Sequence, residues 1–310
     1  MKDQDLIPHL FRTEYSKIVA VLARQFGLAH IEVAEDIVSE TFVAAMETWP
    51  YKGIPAQPTA WLYRVAKNRA LNHLKHNQVF YKKITVRLKG EKQEEELNID
   101  LSEQNIRDSQ LQMLFAVCHP SISADSQIAL ALRILCGFGI DEIADAFLTN
   151  KETINKRLLR AKGKLRSEKI ELMMPEDSEI PKRLESVLKI IYLVFSEGYY
   201  SERAESVIRK DFCLEAMRLN YLLLENPNTN LHPTNTLMSL MCFQSSRFEA
   251  RIGDSGEIIL YQDQDASLWN AELISRGNYY LQKAAFWPVM SVYFLKASIA
   301  YWHTKQEETS

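Results

Sequence analysis

The stretch PTAWLYRVAKNRALNHLKH, residues 58–76, holds four lysines and arginines, one tryptophan, one tyrosine and no acid. No nucleophile stands beside a base here, so the chemistry on offer is recognition. Cations suit phosphate oxygens, amides suit base edges and flat rings suit stacking. Leu62, Val65, Ala66, Ala70, Leu71 and Leu74 already supply an apolar helical stripe. That leaves Arg64, Lys67, Asn68, Arg69, Asn72 and Lys75 as a polar strip fit for an opened nucleic-acid strand. Trp61 and Tyr63 read either as stacking surfaces or as core residues.

A second basic run, residues 151–169, carries eight bases and two acids. Ahead of it, Ile143, Ala144 and Phe147 mark the inner face of a short helix. Ile154 and Leu158 do the same for the next, which is the pattern of a helix-turn-helix. Thr149 and Glu152 stand in capping-box register, so the second helix is expected to start at Asn150 or Lys151. Lys151, Glu152, Asn155 and Lys156 then fall at its N-terminal end, where such helices touch base edges, and Asn155 is of the type that pairs bidentately with adenine. Arg157, Arg160, Lys162, Lys164 and Arg166 follow as phosphate contacts. The plainer alternative is a solvated basic face on a bundle.

Elements that position these residues read as helices almost throughout. HIEVAEDIVSETFVAAMETW repeats Val33, Ile37, Thr41, Ala44, Ala45 and Trp49 at helical spacing. PYKGIPAQP breaks the chain, and Pro58 suits the first turn of a new helix. Residues 81–108 lose periodicity, and 91–108 hold seven acids and two bases, which predicts a flexible acidic linker. LQMLFAVCHPSISADSQIALALRILCGFG predicts two helices broken at His119-Pro120. From 181 onward the chain again alternates helical runs with breaks; Gly198 reads as a left-handed helix end, and Asp254-Ser-Gly as the turn of a small hairpin.

The net charge of −3 divides unevenly. Residues 1–170 have 24 bases and 21 acids, residues 171–310 have 13 and 19. A basic front that binds a polyanion and an acidic back with another task follow from that split. Cys118, Cys136, Cys213 and Cys242 form no C-x-x-C pair and read as buried, reduced thiols. MKDQDLIPHLF lacks the apolar core of a signal peptide and no apolar run reaches the ~20 residues of a membrane span, so a cytoplasmic location is expected. Asp254, Asp263 and Asp265 sit in a turn-rich loop without ligand spacing and read as loop and cap residues; no metal or cofactor is expected.

AEDIVSETFVAAMETWP, followed by the proline-rich loop and PTAWLYRVAKNRALNHLKH, resembles region 2 of the extracytoplasmic-function (ECF) sigma factors of the bacterial sigma-70 family. SADSQIALALRILCGFGIDEIADAFLTNKETINKRLLRAKGKLR resembles region 4. IIYLVFSEGYYS, CLEAMRLNYLL and ILYQDQDASLWN resemble the tetratricopeptide-like extension of one ECF group, whose members run longer than Ser310. The resemblance implies an all-α, non-catalytic protein: a region-2 bundle at 1–80, the acidic linker 81–108, a region-4 helix-turn-helix at 109–170 and a helical extension at 181–310. Its partners would be RNA polymerase core and promoter DNA. Asp36, Glu40 and Phe42 would meet the β′ clamp helices, and region 4 would lean on the β flap. Loop 50–58 would receive a base flipped from the −10 element, while Trp61, Arg64, Lys67, Asn68, Arg69, Asn72 and Lys75 would hold the opened strand. Lys151, Glu152, Asn155, Lys156, Arg157, Arg160 and Lys164 would read the −35 element. Asn72 stands where the family often has Asp, so no −10 preference is carried to that position. The extension would regulate, through its own packing or a partner protein. A stand-alone helix-turn-helix regulator with a C-terminal sensor is the alternative.

Overall fold

The computed structural model describes residues 3–85, 98–200, 206–251, 253, 259–285 and 291–305. Regular elements among these residues are all helical, as the periodicity implies, and none is a strand. By compactness the chain forms two units: residues 1–116, 130–139 and 158–173 make the first, and residues 117–129, 140–157 and 174–310 make the second. The expected segment 109–170 is therefore shared between both rather than forming a unit of its own.

In the first unit, α1 (Asp3–Phe26), α2 (Ile31–Lys52) and α3 (Pro58–Thr85) pack on one another, joined by most of α4 (Glu103–Val117). Tyr15, Ile18, Leu22, Ile31 and Leu62 are fully buried at the centre. A π-helical turn, Ala131–Leu135, packs on α1. Beyond it the Arg12 guanidinium lies 4.3 Å over the Phe138 ring. Gly27 (φ +82°) and Gly53 (φ +81°) turn the chain after α1 and α2, in a backbone region that strains any residue with a Cβ. Contrary to the expected break, α2 runs through Pro50 to Lys52. A proline in the last turn forfeits one hydrogen bond there and leaves the helix interior intact. The flanks of the expected linker are helical too, since α3 reaches Thr85 and α4 begins at Glu103; its acidic centre, 86–97, lies outside the described residues.

The second unit holds most of α5 (Ala124–Leu130), α6 (Ile140–Ala146) and the first half of α7 (Lys151–Ser167). It also holds α8 (Ile180–Tyr200), α9 (Ser206–Glu225), α10 (His232–Ser245), α11 (Phe248–Arg251), α12 (Ala271–Ala285) and α13 (Val292–Trp302). α10 is buried on every side, with α8, α9, α12 and α13 around it. Several of its polar side chains are satisfied from within the unit. Thr234 donates to the Thr229 carbonyl (2.7 Å) while its own carbonyl accepts from Asn220 (3.0 Å), and Ser239 donates to the carbonyl of Gly277 (2.8 Å). Gly277 is needed for that approach, because a Cβ there would lie 2.6 Å from the Phe243 ring.

Gly198 is a correction: it lies inside α8 in helical conformation, not at a left-handed end. The expected hairpin falls mainly on 252 and 254–258, Asp254 among them, outside the described residues. Asp265 caps a short turn by accepting from the Ser267 N–H at 2.8 Å; the Ser267 hydroxyl, and then this N–H, hold its carboxyl below the usual range. All four cysteines are buried thiols outside any disulfide, and burial pushes the Cys118 and Cys242 thiols up to about 12. No described helix is long and apolar enough to cross a membrane.

Candidate nucleic-acid interface

Helix α3 begins at Pro58, whose missing N–H costs nothing at a helix start, and the Gln57 carbonyl accepts the first bond, from Trp61 (3.1 Å). Leu62, Ala66 and Ala70, spaced by four, are fully buried. Two positions on from each, about 200° around the helix, come Arg64, Asn68 and Asn72, all exposed, with Lys75 continuing the line. Among the described residues these four make no hydrogen bond or ion pair. The result is a cation–amide–amide–cation row facing water.

The remaining residues of the predicted strip are engaged. Lys67 donates to the Asn98 side chain at 2.9 Å, and Arg69 pairs with Glu40 of α2. Both contacts are exposed and therefore weak, so either cation is available to a stronger anion. The two aromatic rings look inward. Trp61 meets Trp49 edge to face, centroids 5.4 Å apart, and Tyr63 donates to the Glu14 carboxylate at 2.6 Å. Burial, then the bond to Glu14, raises the Tyr63 phenol well above its ordinary 10.0. Of the two sequence readings, the packed one describes both rings in this structure.

On α2, Asp36 and Glu40 are exposed one turn apart. Phe42 is only 3% exposed and edge-on to Phe11 at 5.0 Å; it supports a surface from below rather than presenting one. It floors an open groove of about 510 Å³ between α1 and α2, walled by Ile7, Pro8, Phe11, Val43 and Met46. Val43 and Met46 stand 48% and 56% exposed, a large apolar display next to two acids.

The two helices of the expected helix-turn-helix are α6 and α7, with Ile143, Ala144 and Ile154 buried and a four-residue turn, 147–150, between them. Leu148 takes φ +48° in it. The cap is Asn150, not Thr149: its side chain accepts from the Thr153 N–H at 2.8 Å, the third residue of the helix. Within the second unit, Lys151 pairs with Asp141 (2.7 Å), Lys156 with Glu152 (2.7 Å) and Arg157 with Asp125 (3.2 Å). Asn155 is exposed and unengaged among the described residues. From Leu158 onward α7 counts with the first unit; there Arg160 is exposed and unengaged, and Lys164 pairs with Glu168 at 3.3 Å.

Sequence reasoning missed Glu35. It belongs to the buried face of α2 with Ile31 and Val38, a position a carboxylate occupies only when compensated. Lys162 of α7 pairs with it directly, Arg133 lies 3.5 Å away, and the Tyr15 hydroxyl is 3.5 Å from the same carboxylate oxygen. Beside it Arg166 reaches Glu32 and the Ala29 carbonyl, at 3.3 and 3.2 Å. The signal was present in the sequence: Glu35 sits one turn after Ile31 on the apolar stripe.

Residues 10–79 match sigma-70 region 2, and residues 183–285 match a family of unknown function, DUF6596. An uncharacterized protein of Rhizobium meliloti (strain 1021) is 32% identical over 284 residues, which is 90% of this chain and 66% of that protein. The chain thus spans just under two thirds of that relative's length. No solved structure matches it significantly.

Proposed function

We propose that this protein, which carries a sigma-70 region 2 at residues 10–79, is a sigma factor that directs RNA polymerase core to promoters. The match to region 2 supports a role in transcription initiation, and the observation that carries the reading into mechanism is the unengaged row Arg64–Asn68–Asn72–Lys75. Lysine and arginine at its ends neutralise phosphates of the opened −10 strand, and the two amides between them meet base edges. Unstacking a base costs a few kcal/mol, which binding of the extruded strand offsets once the polymerase is engaged. Trp61 and Tyr63 act in this reading as rigid support beneath the row. Lys67 and Arg69 join it by exchanging weak protein partners for phosphate.

Asp36, Glu40 and the groove floored by Phe42 form the surface for the β′ clamp helices, an apolar slot edged by acids. α7 reads the −35 element through Asn155, with Lys151, Glu152, Lys156, Arg157, Arg160 and Lys164 around it, and region 4 leans on the β flap. The ECF type, with a tetratricopeptide-like extension, is part of the same proposal. Residues 181–310 govern when the factor acts.

The test is run-off transcription with bacterial core polymerase on genomic promoter fragments. Discrete starts are expected only when the protein is added. The Arg64→Ala/Lys75→Ala variant is expected to bind core normally and initiate less, with the salt slope of promoter-complex formation reduced by about 1.4, at ~0.7 per single-strand phosphate contact. Starts that survive this variant unchanged would remove the proposed row. Tight duplex binding that never requires core would favour the stand-alone regulator.

A further inference from the structure

The second unit contains a feature that DNA or polymerase binding does not use. Arg247, just after α10, is only 8% exposed, yet among the described residues no carboxylate pairs with it. Among the described residues the one hydrogen bond of its side chain runs to a neutral group, the Tyr199 hydroxyl at 3.1 Å, and its Nε–H has no partner. A guanidinium never loses its proton in a protein, and a buried charge without a counter-ion costs several kcal/mol. Something anionic is the ordinary way to relieve that cost.

The surroundings match. Arg247 lines an open cleft of about 390 Å³ bounded by α8, α10, α11, α13 and the segment 259–264. That volume suits a small molecule better than a lone ion. Arg251, Lys296 and His303 also line it, and among the described residues no Asp or Glu does. Arg251 is anchored over the Tyr199 ring at 4.0 Å, and Lys296 donates to the Tyr192 hydroxyl at 2.7 Å, so both charges are held in place. Gln264 adds a buried amide oxygen with no donor among the described residues. The walls between these groups are apolar and flat: Leu240, Ile299 and Ala300, with the Tyr261 ring 4.7 Å from the His303 ring. Burial and the nearby Arg247 charge lower the His303 pKa from its ordinary 6.5, as expected where positive charge is left uncompensated.

We infer that this cleft is a binding site for a small organic oxyanion, a carboxylate or phosphate borne on a flat apolar body, with Arg247 as its main anchor. The guanidinium fork fits either head group bidentately, and the Tyr261 and aliphatic walls hold the body. Gln264 accepts a hydrogen bond from a donor on the ligand.

Benzoate and phenyl phosphate serve as probes on the full chain, with benzamide and inorganic phosphate as controls, all at matched ionic strength. Calorimetry and thermal melting are expected to show saturable binding of at least one probe and none of benzamide. The preferred probe identifies the head group. Arg247→Met keeps the side-chain volume and removes the charge; it is expected to melt no lower than the parent and to bind at least tenfold more weakly. Should that variant misfold, the His303 imidazole resonance of the parent takes its place: it is expected to report a higher His303 pKa with probe bound, and an unchanged His303 pKa overturns the inference. Absence of binding by both probes, binding that survives Arg247→Met, or binding of inorganic phosphate alone overturns the inference.

Discussion

Tyr63 shows how one residue exchanges an expected role for another. In the sequence it stands among bases and looks available for stacking, yet its hydroxyl bonds Glu14 at 2.6 Å and its ring lies against the bundle. The neutral phenol is the form that donates, and its folded-state pKa lies above the ordinary 10.0. Its contribution to stability is therefore complete below pH 10 and declines as pH rises toward the folded-state value, because the unfolded chain loses the proton first. Tyr63→Phe is expected to flatten the loss of stability between pH 10 and 11 in urea melts. An unchanged pH slope would show that the bond contributes nothing. Trp61 was open to two readings on paper, because helical spacing tells which side a residue is on but not whether a second ring, here Trp49, waits across the interface.

At the scale of elements, α2 carries two faces with separate duties. Asp36 and Glu40 point to solvent, while Glu35 is buried and gathers Lys162 and Arg133 around one carboxylate. Lys162→Met leaves Glu35 with Arg133 as its remaining cation, so it is expected to destabilise the protein, though by less than the about 3–5 kcal/mol of a buried pair broken outright. Replacing both partners, with Glu35→Leu added, is expected to recover part of that loss; Arg133 limits the recovery. Denaturant melts of the two singles and the double give the coupling, and a coupling near zero would reduce the pair to a surface ornament. Helices α6 and α7 were legible from Ile143, Ala144, Ile154 and Leu158 because an amphipathic stripe survives in any context. The cap of α7 was misplaced by one residue, since Thr149 and Asn150 are both competent and only backbone geometry selects between them.

Across the whole molecule, the units are not consecutive stretches. Residues 117–129 and 140–157 pack with 174–310, so Cys118, Ile122 and Ile143 share a unit with Ile180 and Leu184. Removing 174–310 is therefore expected to do more than delete an appendage. In a chain ending at Met173, amides of 140–157 are expected to lose hydrogen-exchange protection, while those of α1 and α2 keep theirs. Full protection at 140–157 would show that the helix-turn-helix is self-sufficient. For the same reason, regulation by residues 181–310 is better tested with substitutions that leave the unit folded than by truncation.

Periodicity and charge, which are properties of neighbours in sequence, determined the helices, the break before Pro58, the basic row on α3 and the helix pair α6 and α7. They act within a turn or two of backbone, so no knowledge of the rest of the chain is needed. Tertiary structure alone decided which cations are free and which are spent: Arg64 is open, Arg69 is paired with Glu40, and Lys162 is paired with Glu35, although all three look alike in the sequence. It also decided that Arg247 is buried without a counter-charge among the described residues. Ion pairing and desolvation depend on distances between residues far apart in the chain, and those distances exist only once the helices have packed.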